Sequence, residues 1–390
     1  MIQAENPPLW DVAIVGAGMA GLMAATSLAS KGYRVIVLDK GRQVGGRMAT
    51  RYCLEPSLQW RFDHGAQFMR FRTAQGQQMA SQWVKDGLIF NWLPQLMQSS
   101  ASTHAIEPCG NAIAFHPDVT SRFASPLGMT CIPKALSQAL QHDGSSCLLT
   151  SHLIRAVEPQ LHAKTSFWRL WPEDNECPDR VIEPIDARVL LLTPPVPQAL
   201  ALLKNPSQMD PDVYGALQAI TYAPCLALLL GFLPEASITL AQGFHGAIQW
   251  LQHPILGWLA DNQHKGISPL PALTLQASAA FSEAFFDADE ATIVQKLLSA
   301  LNNTLQEHLP PAEVTYLKRW RYSIPVATYP APYAYSAHPA PVYFAGDAFD
   351  SPEGGAKRVE GALLSGQAAA DAIHLALCMQ NLSADGLKLD

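Results

Sequence analysis

The feature that most constrains this chain is Gly16-Ala17-Gly18-Met19-Ala20-Gly21, set between the apolar run Asp11 to Val15 and a helix-compatible stretch from Met19 to Ser30. A short run of this kind suits a buried parallel strand, so the glycines fall at a strand-to-helix turn. Gly16 allows the tight turn, Gly18 lets the backbone approach a pyrophosphate, and Gly21 lets helix and strand pack closely. The helix N-terminus then faces the phosphates. A second apolar run, Arg34 to Leu38, ends at Asp39, 18 residues after Gly21, where an acid is needed for the hydroxyls of an adenosine ribose. Alone, such a glycine pattern serves NAD as well as FAD.

Phe344-Ala345-Gly346-Asp347, running into Lys357-Arg358-Val359-Glu360-Gly361-Ala362, supplies the context. The two glycine-rich segments read as the two halves of one FAD site. Between them, Gly45-Gly46-Arg47-Met48 lets backbone amides and one guanidinium approach a pyrophosphate or flavin edge, because paired glycines remove side-chain obstruction. A surface loop with a solvated arginine is the plainer alternative. Phe62-Asp63-His64-Gly65-Ala66-Gln67-Phe68 is likewise not ordinary turn chemistry.

The 390 residues fit two intertwined domains. A net charge of −7 without basic runs argues against a nucleic-acid partner. Seven cysteines with no C-x-x-C pair argue against a disulfide framework or a zinc site, and no metal ligand set is expected. The first ten residues lack an apolar signal core, and the most apolar internal stretch, Ala223 to Leu233, is about half the ~20 residues that cross a bilayer. The reading is a soluble cytoplasmic protein.

The fold class expected is α/β, a Rossmann-type FAD-binding domain with a second, mixed α+β substrate domain. The FAD domain takes residues 1–75, 126–195 and 325–390, and the substrate domain 76–125 and 196–324. Loops and short strands are expected over 99–130, a helix from Pro133 to Leu140, hairpin strands at Leu148 to Val157 and Phe167 to Trp171, and a strand Ala187 to Thr193. Strands then recur at Cys225 to Phe232, Ala247 to Leu251, Gly257 to Ala260 and Ala272 to Gln276. Ile293, Val294, Leu297, Leu298, Leu301 and Leu305 form one helical face. A proline-rich linker from 325 to 341 leads to strand Val342 to Ala345 and a last helix, roughly 358–377.

The ordered set of these motifs resembles the renalase branch of the flavin amine oxidase superfamily: Gly-Ala-Gly-Met-x-Gly, Leu38-Asp39-Lys40, Gly-Gly-Arg-Met, Asp-x-Gly-Ala-Gln and the C-terminal Gly346-Asp347. Leu192-Thr193-Pro194-Pro195, Trp258 to Asn262, and Lys318-Arg319-Trp320-Arg321-Tyr322 add to it. The resemblance covers nearly the whole chain and implies a p-hydroxybenzoate hydroxylase-like fold. It implies cofactor contacts from Gly16, Gly18, Met19, Ala20, Gly21, Asp39, Lys40, Gly46, Arg47, Met48, Gly65, Ala66, Gln67 and Thr193, and backbone contacts to adenine from Ile154. It places Gly346 and Asp347 at the pyrophosphate-ribityl region, and Arg358, Val359, Glu360 and Ala362 at a helix start facing the flavin pyrimidine. With no cysteine where some relatives attach flavin, FAD is expected to be noncovalent. Insertions at 99–125 and 172–184 depart from the pattern.

A flavin takes two electrons as hydride, so the protein need only orient the donor and tune the ring. His64 and Gln67 are candidates through their place in the Asp-His-Gly-Ala-Gln segment. Tyr222, Trp320 and Tyr322 could form an aromatic wall for a flat substrate, or be core aromatics. Asn262 could bind a carboxamide or phosphate, or simply end a strand. Lys265 reads as a solvated loop charge. The resemblance implies oxidation of the 2- or 6-dihydro isomers of NAD(P)H to NAD(P)+, with O2 giving H2O2. The alternatives are oxidation of a small amine, which the tyrosines at 329, 333, 335 and 343 keep open, dehydrogenation of an apolar substrate, or FAD binding without turnover.

Overall fold

The computed structural model describes residues 9–54, 58–92, 97–99, 121–141, 145–161, 166–236, 238, 246–305, 308–351 and 357–386. Val12 to Val15, Val35 to Leu38 and Val189 to Leu192 are buried throughout, as parallel strands covered on both faces must be. They form the centre of an eight-stranded sheet. Its order runs Ala334–Ser336, Val342–Phe344, Ile185–Leu192, Trp10–Val15, Val35–Leu38 and Cys147–Leu149. The hairpin His152–Leu161 and Ser166–Asp174 joins antiparallel through Trp168 and Ala187.

On one face of this sheet lie the helices Met19–Ala29 and Arg358–Gly386, with Leu22, Ala25 and Leu28 sharing a core with Ala369, Ile373 and Leu377. Their approach needs Gly366, where a Cβ would lie 2.2 Å from the Ala20 carbonyl oxygen. That contact fixes where the long C-terminal helix begins relative to the glycine loop. Arg358–Gln380 is the one described helix long and apolar enough to cross a bilayer, and 44% of its most apolar window is buried.

A second, six-stranded sheet has the order Val314–Pro325, Tyr222–Gly231, Ala272–Ala277, Leu256–Asp261, Ala247–Trp250 and Met97–Ser99. Alternation in the Tyr222–Gly231 strand splits its sides. Leu226, Leu228 and Leu230 pack on Ile293, Leu297 and Leu301 of the helix Glu290–Leu305. Leu229 faces Trp60 and Phe62 of the hairpin Thr50–Leu54 and Gln59–Asp63. The Trp60 indole N–H donates to the Phe232 carbonyl at 2.9 Å, so this hairpin ties the second sheet to the segment that leaves the glycine loops.

Most expected elements are present with shifted ends, but the strand expected at Leu148 to Val157 is two, Cys147–Leu149 parallel to Val35–Leu38 and His152–Leu161 in the hairpin, because the chain turns at Thr150-Ser151. The helix at 133–140 spans Cys131–Gln141, the last helix continues to Gly386, and the 325–341 linker contains the strand Ala334–Ser336. Of the 99–125 insertion, residues 100–120 lie outside the described residues, and Phe123–Ala124 forms a short strand paired with Phe90–Asn91.

Candidate active site

The glycine loop has the geometry of a cradle. Gly16 adopts φ +103°, and a Cβ on Gly21 would sit 2.0 Å from the Gly16 carbonyl oxygen, so both positions require glycine. A Cβ at Gly18 would meet nothing within 4 Å, which leaves open space in front of the N-terminus of Met19–Ala29. Opposite stands the Gly45-Gly46 turn, with φ values of +116° and +52°. It is held to the first loop by Gly45 N–H donating to the Ala17 carbonyl at 2.8 Å. A Cβ on Gly46 would project to 3.7 Å from the Gly18 Cα. These facing glycines, a helix N-terminus and a nearby acid fit a dinucleotide pyrophosphate.

Asp39 is that acid. Its two carboxylate oxygens accept from Ala17 N–H at 2.6 Å and Gly41 N–H at 2.7 Å, which aims the remaining lone pairs. Burial pushes its carboxyl above the ordinary value against the pull of both amides. Gly41 and Asp39 also bond backbone to backbone with Ser151 and His152, which brings the segment leading to Ile154 beside the ribose position. The Ile154 side chain itself is buried in the core behind the sheet.

At the other end of the cradle, Arg47 and Asp347 form a bidentate pair, both bonds at 2.7 Å. Arg47 also donates to the Tyr322 and Ser323 carbonyls at 3.3 Å, and its guanidinium lies 5.9 Å from the Tyr222 ring centroid. Its own carbonyl accepts from Ala66 N–H at 2.9 Å, and Gly65 packs so tightly there that a Cβ would lie 2.0 Å away. Arg47 thus joins the cofactor cradle, the 63–67 segment and the second sheet. Gly346 N–H is anchored by Ser365 at 2.9 Å, and Met19, Met48 and Ala362 line one apolar cluster beneath. Arg358 opens the C-terminal helix at φ +59°, followed by half-buried Val359.

The candidate wall aromatics meet as two ring pairs. Tyr222 and Tyr322 meet edge to face at 5.7 Å, and His64 stacks on Trp320 at 5.4 Å and 15°. The Trp320 indole donates to the His64 carbonyl at 2.9 Å. Burial, reinforced by Lys318, drops the His64 pKa to about 4, so the imidazole is neutral at pH 7. Its Nδ1 is buried without a hydrogen-bond partner. Burial, and then the Asp347 carboxylate, push the Tyr222 phenol up, so it stays protonated. The tyrosines at 329, 333, 335 and 343 stand elsewhere. Tyr329 packs on Phe349, and Tyr333 and Tyr335 on Tyr343, at the edge of the nucleotide sheet.

Several expectations are corrected. Asn262 is fully buried, donates to the Ala272 carbonyl and Thr274 hydroxyl, and accepts from Asp63 N–H, so it closes a strand end and holds no ligand. The Glu360 carboxylate accepts from Arg72 N–H, Thr73 N–H and the Thr73 hydroxyl at 2.8–3.0 Å; its side chain staples the helix Ala74–Lys85 to the C-terminal helix and is not available to a cofactor. The Thr193 hydroxyl donates to the Val15 and Gly16 carbonyls and braces the glycine loop from behind. The Lys40 side chain is exposed, and its carbonyl accepts from Asn175.

Lys265 reverses its expectation entirely. It is buried, donates to Asp63 Oδ2 at 2.6 Å and to the Gln67 carbonyl at 2.5 Å, and lies 4.8 Å from the Trp92 ring centroid. Asp63 also accepts from Thr50 and Met129. Gln67 donates to the Asp63 and Gly65 carbonyls, with its own amide oxygen buried and unpartnered. The pair pins the 63–67 segment from below. No sequence signal marked Lys265, because Asp63 lies 202 positions away. Among the described residues no group of three or more His, Cys, Asp or Glu could hold a metal ion.

Residues 14–86 match the model of an NAD(P)-binding Rossmann-like domain, and residues 112–374 that of the flavin containing amine oxidoreductases. A flavin-containing monooxygenase of Arabidopsis thaliana is 43% identical over 58 residues, 14% of this chain and 12% of that protein. The chain therefore matches about an eighth of that relative's length. Cyclohexylamine oxidase from Brevibacterium oxydans superposes with a TM-score of 0.65 at 14% identity, covering 95% of this chain and all of that one. Putrescine oxidase bound to putrescine gives 0.64 at 16% identity, covering 94% and 99%. At these identities the structures show a shared fold, and they agree with the two-sheet α/β architecture with its Rossmann-like half.

Proposed function

The chain belongs to the flavin containing amine oxidoreductase family, and from that premise we propose that it is an FAD-dependent oxidase of isomeric dihydro-NAD(P), the 2- or 6-dihydro forms. The products are NAD(P)+ and, with O2 as acceptor, H2O2. When bound, FAD supplies the hydride acceptor at N5 and passes the electron pair to O2.

The observation that carries this reading is the protonation and pairing of the wall. Around Tyr222, Tyr322, Trp320 and His64, the described carboxylates are committed, Asp347 to Arg47 and Asp63 to Lys265. His64 is neutral and Tyr222 protonated. The wall therefore offers flat aromatic faces and hydrogen bonds, without a free carboxylate among the described residues to seat an ammonium, and its neutral imidazole, with a pKa of about 4, is only a weak base. A dihydropyridine gives up hydride without deprotonation and needs only such positioning. Oxidation of a small amine is the second reading. Family membership supports it, as does the neutral, edge-to-face pair Tyr222 and Tyr322, which could seat an uncharged amine.

The test is anaerobic mixing of the FAD-loaded protein with 6-dihydro-NAD, ordinary NADH and an arylalkylamine in parallel. Rapid flavin bleaching by the dihydro isomer alone is expected. Bleaching by the amine alone transfers the assignment to the second reading, and bleaching by none refutes both.

A further inference from the structure

Beside the candidate flavin end, the Glu360 staple has a consequence for charge. By binding the backbone at 72 and 73, it brings the segment carrying Arg70 and Arg72 against the start of the C-terminal helix, where Lys357 and Arg358 lie. Arg72 and Arg358, from two distant stretches, therefore share one corner of a chain whose net charge is −7. Arg72, Lys357 and Arg358 are exposed, so the corner opens to solvent. Glu360 does not neutralise it, since its carboxylate is buried against amides, and Asp347 is held bidentate by Arg47. Among the described residues no carboxylate forms an ion pair with Arg72 or Arg358. The Arg358 side chain reaches solvent, yet desolvation of its guanidinium by the surrounding side chains, and then the Arg70 and Arg72 charges, lower its proton affinity against the pull of Asp347.

The corner continues into an aromatic floor. The Arg70 and Arg122 guanidinium groups lie 5.5 and 5.3 Å from the Phe68 ring centroid, and Phe68 leans on Trp258 at 5.5 Å. The Trp258 indole N–H is buried and without a hydrogen-bond partner. Phe68 follows directly on the 63–67 segment that packs against Arg47.

We infer that Arg72 and Arg358 form the recognition site for the phosphates of a nucleotide substrate whose nicotinamide ring lies toward the aromatic wall. This rests on the dihydronicotinamide reading and sharpens it, since the same positive corner disfavours approach of a cationic amine. Guanidinium groups bind phosphate through paired, charge-assisted hydrogen bonds that neutral side chains cannot replace.

Two measurements on the FAD-loaded protein test this. The first is binding of ADP-ribose, which carries the pyrophosphate but no oxidisable ring, followed by calorimetry. Arg72→Gln and Arg358→Gln are each expected to weaken it by about tenfold or more, and added salt to weaken the wild type. The second is anaerobic flavin reduction by 6-dihydro-NAD and by a phosphate-free N-methyl-dihydronicotinamide isomer. Arg72→Gln should raise the concentration needed for the nucleotide and leave that for the phosphate-free ring in place. FAD content is measured in each variant, and loss of FAD from Arg358→Gln overturns its assignment to substrate. Unchanged ADP-ribose affinity in both variants overturns the anion site. If ADP-ribose binds as expected but neither dihydropyridine reduces the flavin, the functional reading fails and the anion site stands.

Discussion

Replacing Lys265 by Met tests whether the buried Asp63–Lys265 pair holds the candidate active site together. Both side chains have zero exposure, and the ammonium makes two hydrogen bonds, at 2.6 Å to Asp63 and 2.5 Å to the Gln67 carbonyl. Removing the cation strands a buried carboxylate that keeps only the Thr50 hydroxyl and Met129 amide as donors. Breaking such a pair from one side costs about 3–5 kcal/mol, with the orphaned carbonyl included toward the upper end. Against a total stability on the order of 5–15 kcal/mol, that is a large fraction. Equilibrium urea denaturation, followed by tryptophan fluorescence and by flavin release, reads it. Asp63→Asn combined with Lys265→Met should lose less than the sum of the singles by about 2 kcal/mol, because the double variant leaves no uncompensated charge. A single variant within about 1 kcal/mol of wild type, or strict additivity, refutes the argument.

Gly18→Ala should leave the apoprotein's denaturation midpoint unchanged while weakening FAD binding about tenfold or more, since the new methyl enters the open cradle; Gly21→Ala should abolish the fold, its Cβ being placed 2.0 Å from the Gly16 carbonyl oxygen. FAD titration and circular dichroism separate the two. The His64 pKa of about 4 lies below its unfolded value of roughly 6.5, so the unfolded chain binds the proton more tightly, and His64's contribution is complete above that value and lost as pH falls toward 4. Wild type should lose about 2–3 kcal/mol between pH 7 and pH 4.5 that His64→Asn does not, measured by urea denaturation at both values. Glu360→Ala should cost about 2–4 kcal/mol by leaving the Arg72 and Thr73 amides and the Thr73 hydroxyl without their acceptor, and Glu360→Gln should recover part of it.

What the chain discloses by itself is local. The alternation of apolar run, glycine turn and helix from Trp10 to Asp39 sits within about thirty residues, and each glycine's need follows from backbone sterics there, so the cradle and its acid were legible. The aromatic wall was legible by type, since Trp320 and Tyr322 share one side of a strand, but its pairing with His64 was not. Lys265 was misread, and the structural roles of Asn262 and Glu360 were hidden, for one reason. Their polar groups are satisfied by partners 10 to 288 positions away, and a buried donor or acceptor is defined by what lies opposite it. Lys265 in sequence is a charge beside a glycine in a loop. Only the closing of the second sheet over the 63–67 segment removes it from water and requires a counter-ion. The cationic corner at Arg72 and Arg358 arises the same way, because one buried carboxylate, Glu360, draws together two segments that composition alone places far apart.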